Sequence, residues 1–288
     1  KIIQITAKEK LCLCEEMECN PVHCPYAKGH YDRVNDAVFN LLLKEDVFSR
    51  EVLLEQAENY QVCPFEMSLD VASWVDDIIC DYNYVFDPNV YLKRFFAEGI
   101  RGDYIFLVDE AHNLVERGRE MYSALLYKED FLEAKKVIQQ KNKDSGRDYR
   151  GKKLVGQLDR VNRQMLAWKR ECEEGCRVMK SLEGFPVMLM SAEGLLEEYL
   201  EEEPPGEERK KLLDLYFQID QFFKIADRLD ESYVIYSMLD ENGSFLVKLF
   251  CIDTSTAIQE CLNKGNSTVF FSATLLPVTY YQSLLSQA

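Results

Sequence analysis

No stretch of the 288 residues is apolar for long enough to cross a bilayer, and no secretory leader precedes the first strand-like segment. Both absences point to a soluble, cytoplasmic protein. They also weaken a disulfide framework as the use of its ten cysteines, because such frameworks belong to oxidising compartments. Positive charge is scarce: 34 Lys and Arg face 50 Asp and Glu, for a formal net charge of −16. Nucleic acid rewards a basic surface through counterion release, so this balance weighs against a nucleic-acid partner. It does not exclude one, because the acid is patchy. Glu197, Glu198, Glu201, Glu202, Glu203, Glu207 and Glu208 crowd around Pro204-Pro205-Gly206, the pattern of a solvated helix end and turn. Internal repeats and extended low-complexity tracts are missing too. The chain opens on Lys1 rather than Met, as expected of a piece of something longer. What is present is 47% apolar residues, enough to fill the core of one large or two modest domains.

The apolar pattern alternates between strand and helix periods. Residues 1–6 (KIIQIT) read as a strand, 31–43 as a helix with Val34, Ala37, Val38, Leu41 and Leu42 on one face, and Ser49 as the cap of a further helix reaching about Asn59. Ile78, Ile79 and Cys80 read as a short buried strand, and 104–108 (YIFLV) as a second buried strand ending at Asp109. From about Arg119 to Asp230 the chain is charged and helix-patterned (131–140, 154–179, 194–200 and 211–229), with few strand signals. Strand patterns resume at 245–252 (FLVKLFCI) and 268–271 (TVFF). This order predicts an α/β core interrupted by insertions.

Three groups of residues carry chemistry. Asp109-Glu110-Ala111-His112 sits where an apolar strand ends, and open α/β sheets place their ligand crevices at the carboxyl ends of strands. In a phosphate-loop ATPase an aspartate there helps hold the Mg²⁺ of the nucleotide, and a neighbouring glutamate can polarise the attacking water. The same letters could mark only a strand end and a polar turn. Ser272-Ala273-Thr274 again follows an apolar strand, and its hydroxyls can bridge a nucleotide site to a neighbouring element; a strand-to-helix turn with a threonine cap is the plainer alternative. Cys12, Cys19, Cys24 and Cys63 form a set spaced C-x6-C-x4-C with a distant C-P. Four thiolates can hold a [4Fe–4S] cluster or a tetrahedral zinc. The spacing lacks the two close cysteine pairs of zinc ribbons, which favours iron–sulfur, and spacing alone does not choose Cys12 over Cys14. Cys172, Cys176, Cys251 and Cys261 read as small buried apolar residues.

Taken in order, these motifs resemble the XPD/DinG family of iron–sulfur, superfamily-two DNA helicases. The family's basic–x–x–L–C element is matched by Lys8 to Cys12, its next two cysteines by Cys19 and Cys24, and its C-P-aromatic element by Cys63-Pro64-Phe65. A Tyr-rich segment ending in Asp-Pro is matched by 81–88, the DEAH box by Asp109 to His112, and the Ser-Ala-Thr-Leu-x-Pro motif by Ser272 to Pro277. The leucine–cysteine pair selects Cys12. Lys8 stands where members often carry arginine, which keeps the charge but loses the bidentate fork.

The resemblance implies a partial RecA-like motor domain of the phosphate-loop NTPase type with two insertions. Segments 1–10, 74–118 and 244–288 would be motor, 11–73 the iron–sulfur insertion and 119–243 the helical arch. It implies an ATP-dependent, 5′-to-3′ DNA helicase with a DNA repair role, using ATP, Mg²⁺ and a 4Fe-4S cluster, acting on single-stranded DNA and on forked or tailed duplex. Asp109 would hold Mg²⁺, Glu110 would activate water, and His112, Ser272, Ala273 and Thr274 would couple nucleotide state to DNA. Lys8, Tyr82, Asn83 and Tyr84 would be DNA contacts, the aromatic residues as stacking surfaces. No G-x-x-x-x-G-K-[ST] loop occurs in the sequence, so the chain alone is expected not to hydrolyse ATP. Two other readings stay open: a nuclease–helicase fusion, and a zinc-stabilised interaction module without catalysis.

Overall fold

Strand β1 (Ile2–Gln4) runs parallel to β2 (Val47–Phe48) on one side and β3 (Asp77–Ile79) on the other, giving the order β2-β1-β3. The structure, a computed structural model, describes residues 1–286 except 16, 18, 98, 145–148, 173–174 and 205. It divides into two compact units, residues 1–85 and 86–288. In the first, α1 (Lys8–Leu11), α2 (His30–Lys44), α3 (Arg50–Tyr60) and α4 (Pro64–Ala72) accompany the sheet, and α5 (Asn83–Phe86) follows β3. Val34, Ala37, Val38 and Leu41 recur at three and four residues along α2 and are all buried, which is why this segment is a helix with one inward face. Ser49 caps α3 through its hydroxyl, which accepts from the Val52 amide at 3.5 Å. Pro64 occupies the first turn of α4, where its missing N–H costs nothing.

In the second unit, α6 (Lys93–Phe96) precedes β4 (Ile105–Val108), and α7 (His112–Met121) follows it. The elements then continue as β5 (Ala124–Tyr127), α8 (Lys128–Asp144), α9 (Tyr149–Arg170), β6 (Cys176–Met179), α10 (Phe185–Leu200), α11 (Glu207–Ala226), β7 (Tyr233–Leu239), β8 (Phe245–Cys251), α12 (Ser255–Leu262), β9 (Ser267–Phe270) and α13 (Val278–Leu285). β4 pairs in parallel with β9, although every element from α7 to α12 lies between them in sequence. Gly265 makes that pairing possible: a Cβ there would stand 2.9 Å from the Tyr104 carbonyl oxygen and 2.6 Å from the Phe106 ring. The intervening segment builds its own body. Strands β5, β8, β7 and β6 form an antiparallel sheet in that order, and helices α8 to α11 close over a core that includes Phe131, Leu158, Trp168, Phe185 and Phe222.

The structure corrects several expectations. The segment from Arg119 to Asp230 is not purely helical: β5 and β6 lie within it, and α9 ends at Arg170, so 176–179 is strand rather than helix. The strand β4 is not buried on both faces. Ile105 and Leu107 are exposed while Val108 is buried, since β4 has a single strand partner and no element covers that face among the described residues. The same holds for β3, whose Ile79 is exposed. Cys172, Cys251 and Cys261 are buried as expected, but Cys176 is exposed, because β6 is the edge strand of its sheet. The glutamate run is only partly solvated: Glu203 and Glu208 pair with Lys141, and Glu202 lies 2.5 Å from Arg150. Pro205, part of the expected turn, lies outside the described residues.

Candidate active site and cysteine cavity

Parallel pairing of β4 with β9 sets Val108 opposite Phe270, so the two chains leave the sheet side by side. The Phe271 amide donates to the Val108 carbonyl at 3.0 Å, and the Ala111 amide donates to the Phe271 carbonyl at 3.1 Å. These two bonds extend the strand pairing by one step and bring the Asp109–His112 turn against the Ser272–Thr274 turn. Glu110 takes a left-handed backbone (φ +46°), which turns the chain sharply between strand and helix; non-glycine residues there are uncommon and cluster at functional sites. The Asp109 carboxylate accepts from the Glu110 amide at 2.7 Å and steadies the turn.

The side chains then form a connected network. The Ser272 hydroxyl donates to Glu110 Oε2 at 3.0 Å and lies 2.8 Å from His112 Nδ1, which is itself 3.2 Å from Glu110 Oε2. The hydroxyl has one hydrogen, so while it donates to Glu110 it meets His112 Nδ1 only as an acceptor. Thr274 closes the group, its amide donating to Ser272 Oγ at 3.3 Å and its hydroxyl lying 3.4 Å from the same atom. Ala273 is exposed between them and supplies only backbone. Asp109 and Glu110 are exposed and His112 half-buried, so both carboxylates are open to a ligand. Residues 160 positions apart in sequence thus share one hydrogen-bonded cluster.

The cysteine motif gathers elsewhere, in the first unit. Cys12, Cys19, Cys24 and Cys63 line one cavity of about 300 Å³, together with Cys14, Lys8 and Phe65. Three of these thiols are placed by local structure. Leu11 is fully buried and anchors Cys12. The Asn20 side chain accepts from the Val22 and His23 amides, both at 3.0 Å, and shapes the turn into Cys24. Cys63 precedes Pro64 at the start of α4. Burial raises the pKa of its thiol above the ordinary value, although the amides of Glu66 and Phe65 pull the other way.

Sequence reasoning missed the residues that hold this cavity together. His30 is buried, and its Nδ1 accepts from the Cys63 amide at 3.2 Å; burial lowers its pKa, which favours the neutral ring this bond requires. Arg33 donates to the carbonyls of Lys28 (2.8 Å), Tyr60 (3.0 Å) and Gln61 (2.5 Å), tying the cysteine loop to the approach to Cys63. Arg50 donates twice to the Lys10 carbonyl, at 3.0 and 2.8 Å. The close succession of His30 and Arg33 after Cys24 is the one signal the sequence offered.

Cys14 lies 3.8 Å from Cys24, sulfur to sulfur, and burial with the neighbouring Cys24 and Cys12 thiols pushes it up to about 11. Lys8 points its ammonium over the Phe65 ring at 5.6 Å. Burial alone would lower its pKa, but a hydrogen bond to Cys19 and the charges of Cys19, Glu66 and Cys63 raise it. Among the described residues no three His, Cys, Asp or Glu side chains converge closely enough to hold a single metal ion. Tyr82, Asn83 and Tyr84 are half-buried around the start of α5, with the Asn83 amide donating to Asp81 Oδ1 at 3.0 Å. No described helix is long and apolar enough to cross a membrane.

Known proteins resemble this chain in sequence and in fold. The DEAD_2 family model matches residues 2–131, which include the cysteine motif and the DEAH turn. The general transcription and DNA repair factor IIH helicase subunit XPD/RAD3 of Saccharomyces cerevisiae is 35% identical over 109 residues, 38% of this chain and 13% of that protein. The corresponding subunit XPD of Dictyostelium discoideum is 30% identical over 73 residues, 25% of this chain and 9% of that protein. The matched region is therefore a small part of either relative's length. Among solved structures, a truncated XPD aligns over 99% of this chain and 76% of its own, with TM-score 0.52 and 17% identity. An XPD helicase aligns over 99% and 52%, with TM-score 0.51 and 15% identity. At such identities the structures speak for the fold alone. Over residues 2–131 the chain is thus similar to the DEAD_2 family, over shorter stretches to XPD helicase subunits, and in fold to solved XPD structures.

Proposed function

We propose that the chain supplies the hydrolytic turn, the coupling turn and the cluster insertion of an ATP-dependent DNA helicase that moves 5′ to 3′ on single-stranded DNA, with a role in repair. The observation that carries this reading is the Glu110–Ser272–His112 network. It joins a strand-end carboxylate pair to a second strand-end turn, so a shift in either is felt by the other. Asp109 would hold the Mg²⁺ of bound ATP, which neutralises charge developing on the phosphates. Glu110 would orient water and take its proton through the carboxylate that Ser272 holds. His112, backed by Ser272 and Thr274, would report the nucleotide state to the rest of the motor. The phosphate loop would come from outside this chain.

Cys12, Cys19, Cys24 and Cys63 would hold a 4Fe-4S cluster, whose thiolate bonds would cross-link the end of α1, the cysteine loop and the start of α4. Lys8, Tyr82, Asn83 and Tyr84 would contact the single strand, Lys8 through charge and the tyrosines by stacking. We also propose the division into motor, cluster insertion and arch at 1–10, 11–73, 74–118, 119–243 and 244–288. The test uses a longer protein that carries this chain together with a phosphate loop and second motor domain. With ATP and Mg²⁺ it should unwind a duplex bearing a 5′ single-stranded tail and leave a 3′-tailed duplex intact. Unwinding of the 3′-tailed substrate alone, or of neither, would contradict the proposal.

A further inference from the structure

The acidity of the chain is interrupted by one element. Helix α9 carries Arg150, Lys152, Lys153, Arg160, Arg163, Lys169 and Arg170 against a single acid, Asp159, whereas the chain as a whole has a net charge of −16. Its buried face (Leu154, Leu158, Val161, Met165 and Trp168) packs into the core of the inserted body. Its outward face is therefore fixed by periodicity, and Lys152, Lys153, Arg160, Arg163 and Arg170 are all exposed on it.

The charges on this face are not used internally. Asp159 is matched by Lys135 from α8 at 2.6 Å, and Arg150 by Glu202 at 2.5 Å. Arg160 meets the Gln157 side chain at 3.4 Å and Arg163 the Asp159 carbonyl at 3.3 Å, both neutral partners. Among the described residues no carboxylate forms an ion pair with Lys152, Lys153, Arg160, Arg163 or Arg170. Five unneutralised cations on one straight helix face are costly to maintain in self-repulsion unless an anion meets them.

We infer that this face of α9 binds the phosphate backbone of duplex DNA. From Lys152 to Arg170 the helix advances roughly 27 Å at about 1.5 Å per residue, a rigid rod of charge approaching one turn of a duplex. Between those two residues the exposed positions are Gly156, Ala167 and the cations, with no aromatic ring. Single strands are held by aromatic platforms on which bases stack, and this face offers none, whereas charge alone suffices for a backbone. None of its residues belongs to the single-strand set of Lys8, Tyr82, Asn83 and Tyr84. The assignment rests on the helicase reading and extends it by giving the inserted body a grip on duplex.

The test uses the 288-residue chain without nucleotide, so its outcome does not depend on whether Glu110 hydrolyses ATP. Fluorescence anisotropy measures affinity for a short blunt duplex across a salt series. The variant K152A/K153A/R160A/R163A changes only exposed positions on a helix that favours alanine. The control K44A/K210A/K211A/K224A removes the same charge from exposed positions on α2 and α11. The stripe variant should bind duplex about tenfold or more weakly, with its log–log salt slope flattened by about 0.9 for each phosphate that is no longer neutralised. The control should stay within about threefold of the unaltered chain. Equal weakening in both variants, none in the stripe variant, or an unaltered chain that does not bind duplex would overturn the assignment. So would a weakening confined to single strands.

Discussion

Ser272→Ala isolates the link between the two turns. The hydroxyl it removes donates to Glu110 Oε2 at 3.0 Å, lies 2.8 Å from His112 Nδ1 and accepts from the Thr274 amide at 3.3 Å. A net intramolecular hydrogen bond contributes about 0.5–1.5 kcal/mol, and these groups are open enough for water to replace the missing partner. The fold should therefore lose only about 1 kcal/mol, a fall of roughly 2–4 °C in Tm. Turnover should suffer more. A positioned general base contributes about 10²–10⁴ in rate, and a carboxylate that is present but no longer held should forfeit the lower end, about 10². Nucleotide affinity should change little, because Ser272 is given no role in binding the nucleotide. Thermal unfolding of the chain and steady-state ATPase of the longer protein give the two numbers side by side. Near-normal turnover in Ser272→Ala, or a rate loss explained by unfolding at the assay temperature, would refute the proposed coupling.

Three further outcomes follow from the other observations. Anaerobically prepared chain should contain about four irons with sulfide; stoichiometric zinc without sulfide would contradict the cluster. Cys19→Ser and Cys63→Ser should lose that iron and loosen the first unit, while Cys14→Ser keeps it; iron content across the three decides, and an iron-free Cys14→Ser protein would replace Cys12 by Cys14 in the ligand set. In alkylation at pH 8 mapped by mass spectrometry, exposed Cys176 should react ahead of the buried thiols Cys172, Cys251 and Cys261. Burial pushes the Cys80 and Cys251 thiols up to about 11, so both should stay unlabelled until the chain unfolds.

Much of the site was legible because its signals are local. An apolar run before DEAH and another before SAT place both motifs at strand ends, and β4 and β9 are found there. Ser49 marked the start of α3 and the apolar stripe marked α2 for the same reason. The pairing of β4 with β9 was not legible, since no local pattern joins segments separated by the whole inserted body. The strands β5 and β6 were missed because each has four residues: β5 is apolar throughout in sequence although its burial alternates, and Cys176, Arg177 and Val178 of β6 are all exposed on an edge. Burial of β4 was overread because a parallel strand's apolar run normally signals cover on both faces, and here Ile105 and Leu107 have none among the described residues. The supports of the cysteine cavity, His30, Arg33 and Arg50, act through backbone carbonyls and amides, which leave no mark in residue type.

The hydrolytic role of the DEAH turn is tested most directly by the ATPase rate of Glu110→Gln beside its nucleotide affinity, in the longer protein with saturating single-stranded DNA. The amide is isosteric and leaves Asp109 in place, so ATP and DNA should bind nearly as before while turnover falls by about two to four powers of ten. Asp109→Asn should instead weaken Mg²⁺-dependent nucleotide binding as well as turnover, because a ligand charge is lost. A Glu110→Gln protein that hydrolyses ATP at the normal rate would contradict the assignment of this turn as the hydrolytic centre.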